Sequence, residues 1–311
     1  MREELIYESI FIPLDTPQND VLHVKRIVAA STKSKQEVSP TALLVHGVME
    51  SGRIFYSLNG KGLAVYLAQN GFDVFVPDLR GKGESSPKVN AQSDFGQTEY
   101  IVEDLPAIAQ HIKTMKGHFP SHMVAHSWGG VLVLPFLLRR PAMRAAVQKM
   151  VFFGSKRRIR TKSLEKSLKI DLIWNYVGRG ASKLLGYFPI TKLGVGTEDE
   201  SRLFMKECNQ WVYRDEWIDR DQFDYQLEFQ RLKKEQTYFP PTLHVAAVND
   251  TVLGNPNDVQ LLMQEVDNAT DEYRLLSKAH NNAHDYGHNN MLTHKDAVKD
   301  HFPAILDWLV W

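Results

Sequence analysis

Cysteine is almost absent from this chain of 311 residues, which contains only Cys208. A single cysteine cannot form an internal disulfide, and this favours a reducing compartment. Long apolar runs are also absent, and none approaches the roughly 20 residues that a membrane-spanning helix needs. The first 20 residues carry early acidic side chains and no continuous apolar stretch, unlike a secretory signal. These absences predict a globular cytoplasmic protein without stable membrane insertion.

An excess of charge of either sign is absent as well. Lys and Arg together number 37, as do Asp and Glu, so the net charge is zero with histidine neutral. A protein that binds nucleic acid mainly through the phosphates carries a basic balance, so no nucleic-acid partner is expected. The neutral balance also gives no reason to expect that anionic substrates are steered to the surface.

Short apolar runs alternate with helix-like segments along much of the chain. TALLVHG at 41–47 and FDVFVPD at 72–78 are typical of buried parallel strands, and LIYESIFIPL and VLHVKRIVAA predict an antiparallel pair before them. Further strands are predicted at 122–127, 147–155, 242–250 and 272–279, and helices at 63–71, 98–115, 128–140, 256–266 and 294–311. This order predicts an α/β fold with a mostly parallel central sheet and helices on both faces.

The alternation stops in the middle of the chain. From Ser155 to about Pro241 the sequence reads as helices and loops rich in Trp, Tyr and Phe, with no convincing strand. Because strands precede and follow this stretch, we interpret residues 156–240 as a helical cap inserted into a core formed by residues 1–155 and 241–311. Most of the aromatic residues are expected to pack the cap, and some to line a pocket beneath it.

The segment HSWGG lies between a predicted strand and a predicted helix. A serine between a strand and a helix, with small residues around it, has the context that a nucleophile elbow requires. Ala125 stands where that motif has glycine, and alanine is the smallest alternative, so the turn stays feasible. Ser127 is therefore a candidate nucleophile. The competing interpretation is that its hydroxyl only caps the helix that begins at Trp128.

An acid and several histidines follow later strands. Asp250 ends the predicted strand at 242–250, and the loop AHNNAHDYGHNN follows the last strand. Serine, then aspartate, then histidine is the chain order of an α/β-hydrolase triad, in which the histidine removes the serine proton and the aspartate orients the histidine. Asp250 is favoured as the acid over Asp258, which falls within the next helix.

Several segments resemble the α/β-hydrolase esterases and lipases. The first half of these proteins is similar to the segment LLVHGVMESGRIFYSLNGKGLAVYLAQNGFDVFVPDLRGKGESS. The spacing of residues in this segment, together with the later EDLPA, resembles the acid-lipase branch. DYGHNNML resembles the segment that carries the catalytic histidine there, and LGYFPITKLGVG resembles the cap of a bacterial group of predicted α/β hydrolases. The resemblance covers most of residues 40–155 and 242–311. It implies an α/β-hydrolase fold and a serine hydrolase without a cofactor.

The resemblance also implies roles for individual residues. It implies His288 as the general base, because YGHNNML matches the family position. His280 remains the alternative, since it lies closer to Asp250 along the chain. The implied oxyanion hole consists of the backbone N–H groups of Val48, after the His-Gly pair, and of Trp128, after the nucleophile.

Other titratable residues receive structural interpretations. His46 is expected to brace its loop, and Asp78 to organise the loop that follows its strand. His280, His284 and His288 recur every four residues, which on a helix would place metal ligands on one face. The asparagines and the glycine between them disfavour a helix, so no metal site is predicted.

The predicted function is hydrolysis of a small-molecule carboxylic ester, with an apolar acyl group, through an acyl-enzyme. The first alternative is hydrolysis of an acyl thioester by the same triad, and a non-catalytic ligand-binding protein is the second. Cofactor-free C–C bond hydrolysis uses the same triad and stays open, whereas haloalkane dehalogenation requires an aspartate at the position of Ser127. The basic segment SKRRIR is expected to be a solvated helix entry, although at the mouth of the cap it would favour the phosphates of an acyl-CoA.

Overall fold

A large central sheet organises the chain, which is described by a computed structural model for residues 4–34, 39–160 and 178–311. The strands are β1 (Leu5–Pro13), β2 (Val21–Ala29), β3 (Thr41–Val45), β4 (Asp73–Asp78), β5 (His122–His126), β6 (Lys149–Phe153), β7 (Tyr187–Phe188), β8 (Glu200–Ser201), β9 (Thr242–Ala247) and β10 (Glu272–Leu276). Eight of them form one sheet in the order β1-β2-β4-β3-β5-β6-β9-β10. The pairs β1–β2 and β2–β4 are antiparallel, and all the others in this sheet are parallel. The predicted mostly parallel sheet is confirmed.

Helices follow most of the strands, as predicted. They are α1 (Ala30–Ser34), α2 (Leu63–Gln69), α3 (Gln97–Glu99), α4 (Leu105–Lys116), α5 (Trp128–Arg139), α6 (Pro141–Ala146), α7 (Gly178–Leu185), α8 (Ile190–Leu193), α9 (Arg202–Tyr213), α10 (Tyr225–Lys234), α11 (Pro256–Val266), α12 (Asn290–Thr293) and α13 (Phe302–Val310). Short 3-10 turns lie at Gly52–Ile54 and Lys278–His280, and a π turn at Tyr100–Asp104 divides the helix predicted at 98–115. Among these described helices, none is long and apolar enough to cross a membrane.

The closing helix is shorter than the sequence predicts. We expected a helix over 294–311, whereas α13 begins at Phe302. The Asp300 carboxylate accepts hydrogen bonds from the Tyr286 hydroxyl at 2.7 Å and from the backbone N–H of Ala283 at 3.0 Å. These bonds tie the residues before α13 to the histidine-rich loop and hold them in turns.

Two apolar clusters cover opposite faces of the sheet, because successive side chains of a strand point to opposite sides. In β3, Leu43 and Val45 belong to one cluster, and Ala42 and Leu44 to the other. Helices α4, α5 and α11 contribute to the first cluster, and α2 and α13 to the second. The predicted helices on both faces are confirmed.

The chain leaves the sheet between β6 and β9, which are hydrogen-bonded neighbours. The described part of this excursion contains α7 to α10 and the antiparallel pair β7–β8. We predicted no strand here, and strands of two residues are too short to show a period in the sequence. Trp174 and the rest of 161–177 lie outside the described residues, so the cap boundaries at 156–240 stay a prediction.

Buried aromatic rings hold the described part of the excursion together. The ring centres of Trp211 and Trp217 lie 5.9 Å apart, and those of Trp211 and Tyr225 lie 5.4 Å apart. These residues also belong to the cluster that covers the α5 face of the sheet. The excursion therefore packs against the core beside the carboxyl end of β5.

Candidate active site

Ser127 occupies a strained turn between β5 and α5. Its backbone angles are φ 52° and ψ −125°, a region that few residues other than glycine adopt. Its N–H donates a hydrogen bond to the carbonyl of Phe153 at 2.8 Å, which ties the turn to the end of β6. Its hydroxyl makes no capping hydrogen bond with α5, so the interpretation of Ser127 as a helix cap is wrong.

Gly129 allows α5 to begin directly against the end of β3. A Cβ atom at this position would lie 2.4 Å from the carbonyl oxygen of Val45 and 2.6 Å from that of His46. Both are backbone atoms and cannot move aside. The glycine predicted from the elbow motif is therefore required by the close approach of the helix to the sheet.

His288 and Asp250 form a hydrogen-bonded pair on the same edge of the sheet. The imidazole Nδ1 lies 2.5 Å from the Asp250 Oδ2 oxygen, and the side chains are 11% and 3% exposed. The His288 ring lies next to Gly154, at the end of β6, where a built Cβ would be 3.1 Å from the ring. The structure thus brings His288 and Asp250 together near Ser127. Among the described residues, however, none forms a hydrogen bond with the Ser127 hydroxyl, and this includes His288.

The alternative residues lie elsewhere. His280 is exposed, and its Nδ1 lies 2.7 Å from the Ser277 hydroxyl rather than near an acid. Asp258 is buried on α11 and accepts a hydrogen bond from the backbone N–H of Arg160 at 2.9 Å. The pairing of His288 with Asp250 is therefore the one that the fold provides.

The three histidines spaced by four residues do not share a helix face. His284 Nε2 lies 2.8 Å from the carboxylate of Asp296, and the ring centre of His294 lies 4.2 Å from that of His284. His284, His294 and Asp296 each offer one potential ligand atom, and these three atoms lie within 4.8 Å of one another. This trio is separate from the pair of His288 with Asp250, and we assign it no role in the reaction.

The loop after β3 is held from both sides by carboxylates. The backbone N–H of Gly47 donates to Glu50 Oε1 at 2.5 Å, and that of Met49 donates to Glu200 Oε1 at 2.7 Å. Val48, whose N–H was predicted to face the oxyanion, lies between these two anchored peptides. Because Glu200 belongs to β8, the excursion from the core helps to fix this loop.

The structural interpretations of His46 and Asp78 are confirmed. His46 Nδ1 lies 2.8 Å from the carbonyl of Gly47, and its Nε2 accepts a hydrogen bond from the N–H of Leu79 at 3.2 Å. The Asp78 carboxylate accepts a hydrogen bond from the N–H of Gly52 at 2.8 Å. Both side chains are buried and hold the loops at this edge of the sheet.

An ion pair that the sequence did not single out involves His126, the residue immediately before Ser127. His126 Nδ1 lies 2.7 Å from Glu50 Oε1, and its Nε2 lies 3.2 Å from the backbone carbonyl of His288. Both partners only accept hydrogen bonds, so both ring nitrogens of His126 donate and the ring is a cation. Burial lowers the pKa of His126, but the Glu50 carboxylate outweighs burial and the pKa is raised. Its position immediately before the candidate nucleophile was the only signal in the sequence.

The surroundings of His288 favour its neutral form. Burial lowers the pKa of the imidazole, the His126 cation lowers it further, and the Asp250 carboxylate only partly opposes them. Burial would raise the pKa of Asp250, but its bond with His288 outweighs that effect and the pKa is lowered. An uncharged imidazole paired with a carboxylate anion is the arrangement that can accept a proton from a nucleophile.

An apolar cavity of about 350 Å³ lies beside Ser127, and we call it the apolar cavity. Val48 and Trp128, the two residues predicted to supply the oxyanion hole, line it together with Ser127. Its other apolar lining residues are Met49, Ile159, Phe188, Val195, Cys208, Val212 and Leu253. Its size is within the range of small-molecule sites, and these lining residues are ones that the sequence alone did not identify.

The prediction that the SKRRIR segment is solvated is wrong for its buried arginine. Arg157 is 2% exposed, and its guanidinium lies 2.7 Å from the Glu265 carboxylate. Arg158 pairs with both Glu265 and Asp215, and Arg160 pairs with Asp215. All three arginines of the segment therefore have carboxylate partners.

The sheet order, the strained serine turn at the end of β5 and the histidine–aspartate pair define an α/β hydrolase. The chain belongs to the family described as "Serine aminopeptidase, S33", whose profile matches residues 36–226, more than half of the chain. The recognition of an α/β hydrolase that was predicted from the sequence is therefore confirmed.

Two curated relatives are similar to part of the chain. "Lipase 1" of Drosophila melanogaster is 28% identical over 151 residues, which cover 46% of this chain and 33% of that protein. "Probable lysophospholipase L2" of Haemophilus influenzae is 22% identical over 174 residues, which cover 56% of this chain and 52% of that protein. The matches thus span about a third and about a half of the relatives' lengths.

A solved structure covers the chain more completely. The thioesterase domain from the curacin biosynthetic pathway is 17% identical, with a TM-score of 0.56, and the match covers 97% of this chain and 99% of that one. At this level of identity the likeness shows the shared α/β-hydrolase fold.

Proposed function

We propose that this protein hydrolyses carboxylic esters that carry an apolar acyl group, with Ser127 as nucleophile, His288 as general base and Asp250 as the acid that orients His288. The observation that carries the proposal is the Ser127 hydroxyl, which makes no capping hydrogen bond with α5 and borders the apolar cavity. Its turn lies beside the His288–Asp250 pair. A hydroxyl exposed at the cost of backbone strain is what nucleophilic attack requires.

The reaction follows from the residues in these roles. His288 Nε2 takes the proton of the Ser127 hydroxyl as the oxygen attacks the acyl carbon, and Asp250 stabilises the imidazolium that forms. The protonated histidine then gives its proton to the departing alcohol, which leaves an acyl group on Ser127. Water, deprotonated by His288, attacks this acyl-enzyme, and the products are a carboxylic acid and the free serine.

The negative charge of the tetrahedral intermediate needs donors beside Ser127. We assign this role to the backbone N–H groups of Val48 and Trp128, which belong to residues lining the same cavity as Ser127. The carboxylates of Glu50 and Glu200 support the assignment, because they anchor the peptides on either side of Val48. A preorganised loop does not need to rearrange when the charge develops.

We further propose that residues 156–240 act as a cap over the site. Phe188, Val195 and Val212 support this assignment, because they come from the excursion between β6 and β9 and line the cavity that contains Ser127. The acyl chain would lie against these side chains, and the selectivity for chain length would then depend on them.

Longer acyl chains are expected to be better substrates until the apolar cavity is filled. Each buried methylene contributes about 0.8 kcal/mol, or roughly a fourfold gain. We expect p-nitrophenyl octanoate to exceed p-nitrophenyl acetate in kcat/KM by at least about tenfold. Steady-state kinetics over acetyl, butyryl, hexanoyl and octanoyl esters, with the matching thioesters, tests the proposal and the alternative of thioester hydrolysis.

A variant with a shorter apolar cavity provides a further test of the preference for long acyl chains. Val212→Phe adds bulk inside the apolar cavity and should shift the preferred chain to a shorter one. Val298→Phe, at an exposed position 40% accessible and outside the cavity, should leave the preference unchanged. A preference for acetate in the unmodified protein would refute the acyl-binding role of the cavity.

Burial of His288 and the neighbouring charge on His126 are together expected to lower the acid limit of activity. His288 must be neutral to act as the base, and its pKa lies below the ordinary 6.5, so kcat/KM should persist below pH 6.5 before it falls. In the Glu50→Gln/His126→Gln double variant the neighbouring cation is absent, so the pKa of His288 rises. The acid limb should then move to higher pH by up to about one unit.

A distant ion pair gives the matched control for the pH profile. Lys233 and Asp267 form an exposed pair, so the double variant Lys233→Gln/Asp267→Asn also removes one charge of each sign. Its pH profile should coincide with that of the unmodified protein. An acid limb that moves to lower pH, or that does not move, in the Glu50/His126 variant would contradict the role of His126 in lowering the pKa of His288.

A further inference from the structure

A second cavity of about 880 Å³ adjoins the apolar cavity, and we call it the basic cavity. Phe188, Asn209 and Tyr213 line both cavities, so these three residues form a wall that the two cavities share. Four cationic side chains also line the basic cavity: Lys183, Arg202, Lys206 and Arg214. No carboxylate is among the described residues that line it.

The four cations differ from the arginines of the SKRRIR segment, which pair with carboxylates. Within residues 4–34, 39–160 and 178–311, no Asp or Glu forms an ion pair with any of them. All four side chains are exposed. Like charges gathered around one concave surface produce a positive potential that attracts anions, even where the net charge of the chain is zero.

The positions of two of these cations are unfavourable for the helix that carries them. Arg202 is the first residue of α9, where the helix dipole disfavours positive charge, and Lys206 follows it by four residues, where like charges repel. Binding of an anion explains this placement, whereas helix stability does not. Lys206 precedes Asn209 by three residues, about 4.5 Å along the helix axis. An anion bound to Lys206 would therefore lie close to Asn209, which lines both cavities.

We infer that the basic cavity binds a phosphate group on the leaving-group side of the substrate while the acyl chain occupies the apolar cavity. This inference rests on the ester hydrolysis proposed above. Guanidinium groups pair with phosphate oxygens in a bidentate geometry, and lysines add point charges, so the set suits a phosphate. Hydrolysis breaks the bond from the acyl carbon to the oxygen or sulfur of a phosphate-bearing alcohol or thiol, and water supplies the hydroxyl and the proton.

Paired substrates that differ in phosphate test the inference. One pair is 1-octanoylglycerol 3-phosphate and 1-octanoylglycerol, and the other is S-octanoyl-4′-phosphopantetheine and S-octanoylpantetheine. In at least one pair the phosphate-bearing member should have the higher kcat/KM by about tenfold at low ionic strength, and salt should reduce the advantage. The pair with the larger ratio identifies the source of the phosphate. Ratios near one in both pairs would overturn the inference.

Removal of two cations should reduce this ratio. In the Arg202→Gln/Lys206→Gln variant, the ratio of kcat/KM for the phosphate-bearing member to that for its neutral partner should fall by about fivefold or more. The control variant Lys234→Gln/Lys299→Gln removes two exposed charges that do not line the cavity, and its ratio should be unchanged. Equal ratios in the two variants would contradict the assigned site.

A binding measurement separates this inference from the proposed function. Calorimetric titration of Ser127→Ala with each phosphate-bearing substrate measures affinity without turnover. Binding that is weakened by Arg202→Gln/Lys206→Gln supports the phosphate site even if no ester is hydrolysed, a result that would refute only the proposed function. Active hydrolysis of neutral octanoyl esters without such binding would refute the phosphate site and leave the proposed function standing.

Discussion

Replacement of Ser127 by alanine is expected to lower kcat by at least about 10⁴-fold while the protein stays folded. The hydroxyl supplies the attacking oxygen, and the oxyanion donors alone sustain only a small residual rate. Alanine keeps the Cβ atom, so the strain at φ 52° is unchanged, and no capping bond is lost. Turnover of p-nitrophenyl octanoate and the midpoint of thermal unfolding are the two measurements.

A fluorophosphonate probe gives an independent readout of the same residue. The unmodified protein should carry one adduct on the peptide that contains Ser127, and Ser127→Ala should carry none. Ser57→Ala, outside the site, should be labelled and active like the unmodified protein. Substantial esterase activity in purified Ser127→Ala, or labelling at another residue, would remove Ser127 from its assigned role.

Replacement of His288 is expected to be nearly as damaging. His288→Ala removes the proton acceptor, and we expect kcat to fall by about 10⁴-fold. It also leaves the buried Asp250 without the imidazole that lowers its pKa, so the free energy of unfolding should decrease. His288→Gln keeps a side-chain donor for Asp250 and should be comparably inactive with a smaller loss of stability, which separates chemistry from folding.

The other histidines of the loop provide the controls. His280→Ala should retain activity within a few fold, because His280 is exposed and its Nδ1 contacts Ser277. His284→Ala removes only a half-buried pair with Asp296 and should also remain active. An inactive His280→Ala together with an active His288→Ala would show that the resemblance of YGHNNML to the family segment is misleading.

Local patterns in the sequence were enough to predict most of the sheet and the serine turn. Apolar runs ending in glycine or aspartate identified β3 and β4, and the glycines after Ser127 reflect the close approach of α5 to β3. The closing helix was overestimated, because hydrogen bonds from Tyr286 and Ala283 to Asp300 hold its first residues in turns. Helical propensity is a local property, whereas those bonds join residues far apart in the sequence.

The sequence also did not show which of the charges around the site are paired. The sequence predicted SKRRIR to be solvated, but Glu265, which lies 108 residues after Arg157, neutralises that arginine. It did not single out Glu50, 76 residues before His126, or the four cations of the basic cavity. A charge is either paired or free according to what the fold places beside it, and composition does not contain that information.

By itself the sequence determined the α/β architecture, the serine turn and the order of serine, aspartate and histidine, since these depend on local backbone preferences and on strand ends that meet at one edge. Only the tertiary structure decided that His288 rather than His280 contacts Asp250, and that His126 is held as a cation by Glu50. It also decided which cations line the basic cavity with no carboxylate partner among the described residues. The physical reason is that hydrogen bonds and ion pairs act over a few ångströms, whereas these partners are separated by tens of residues.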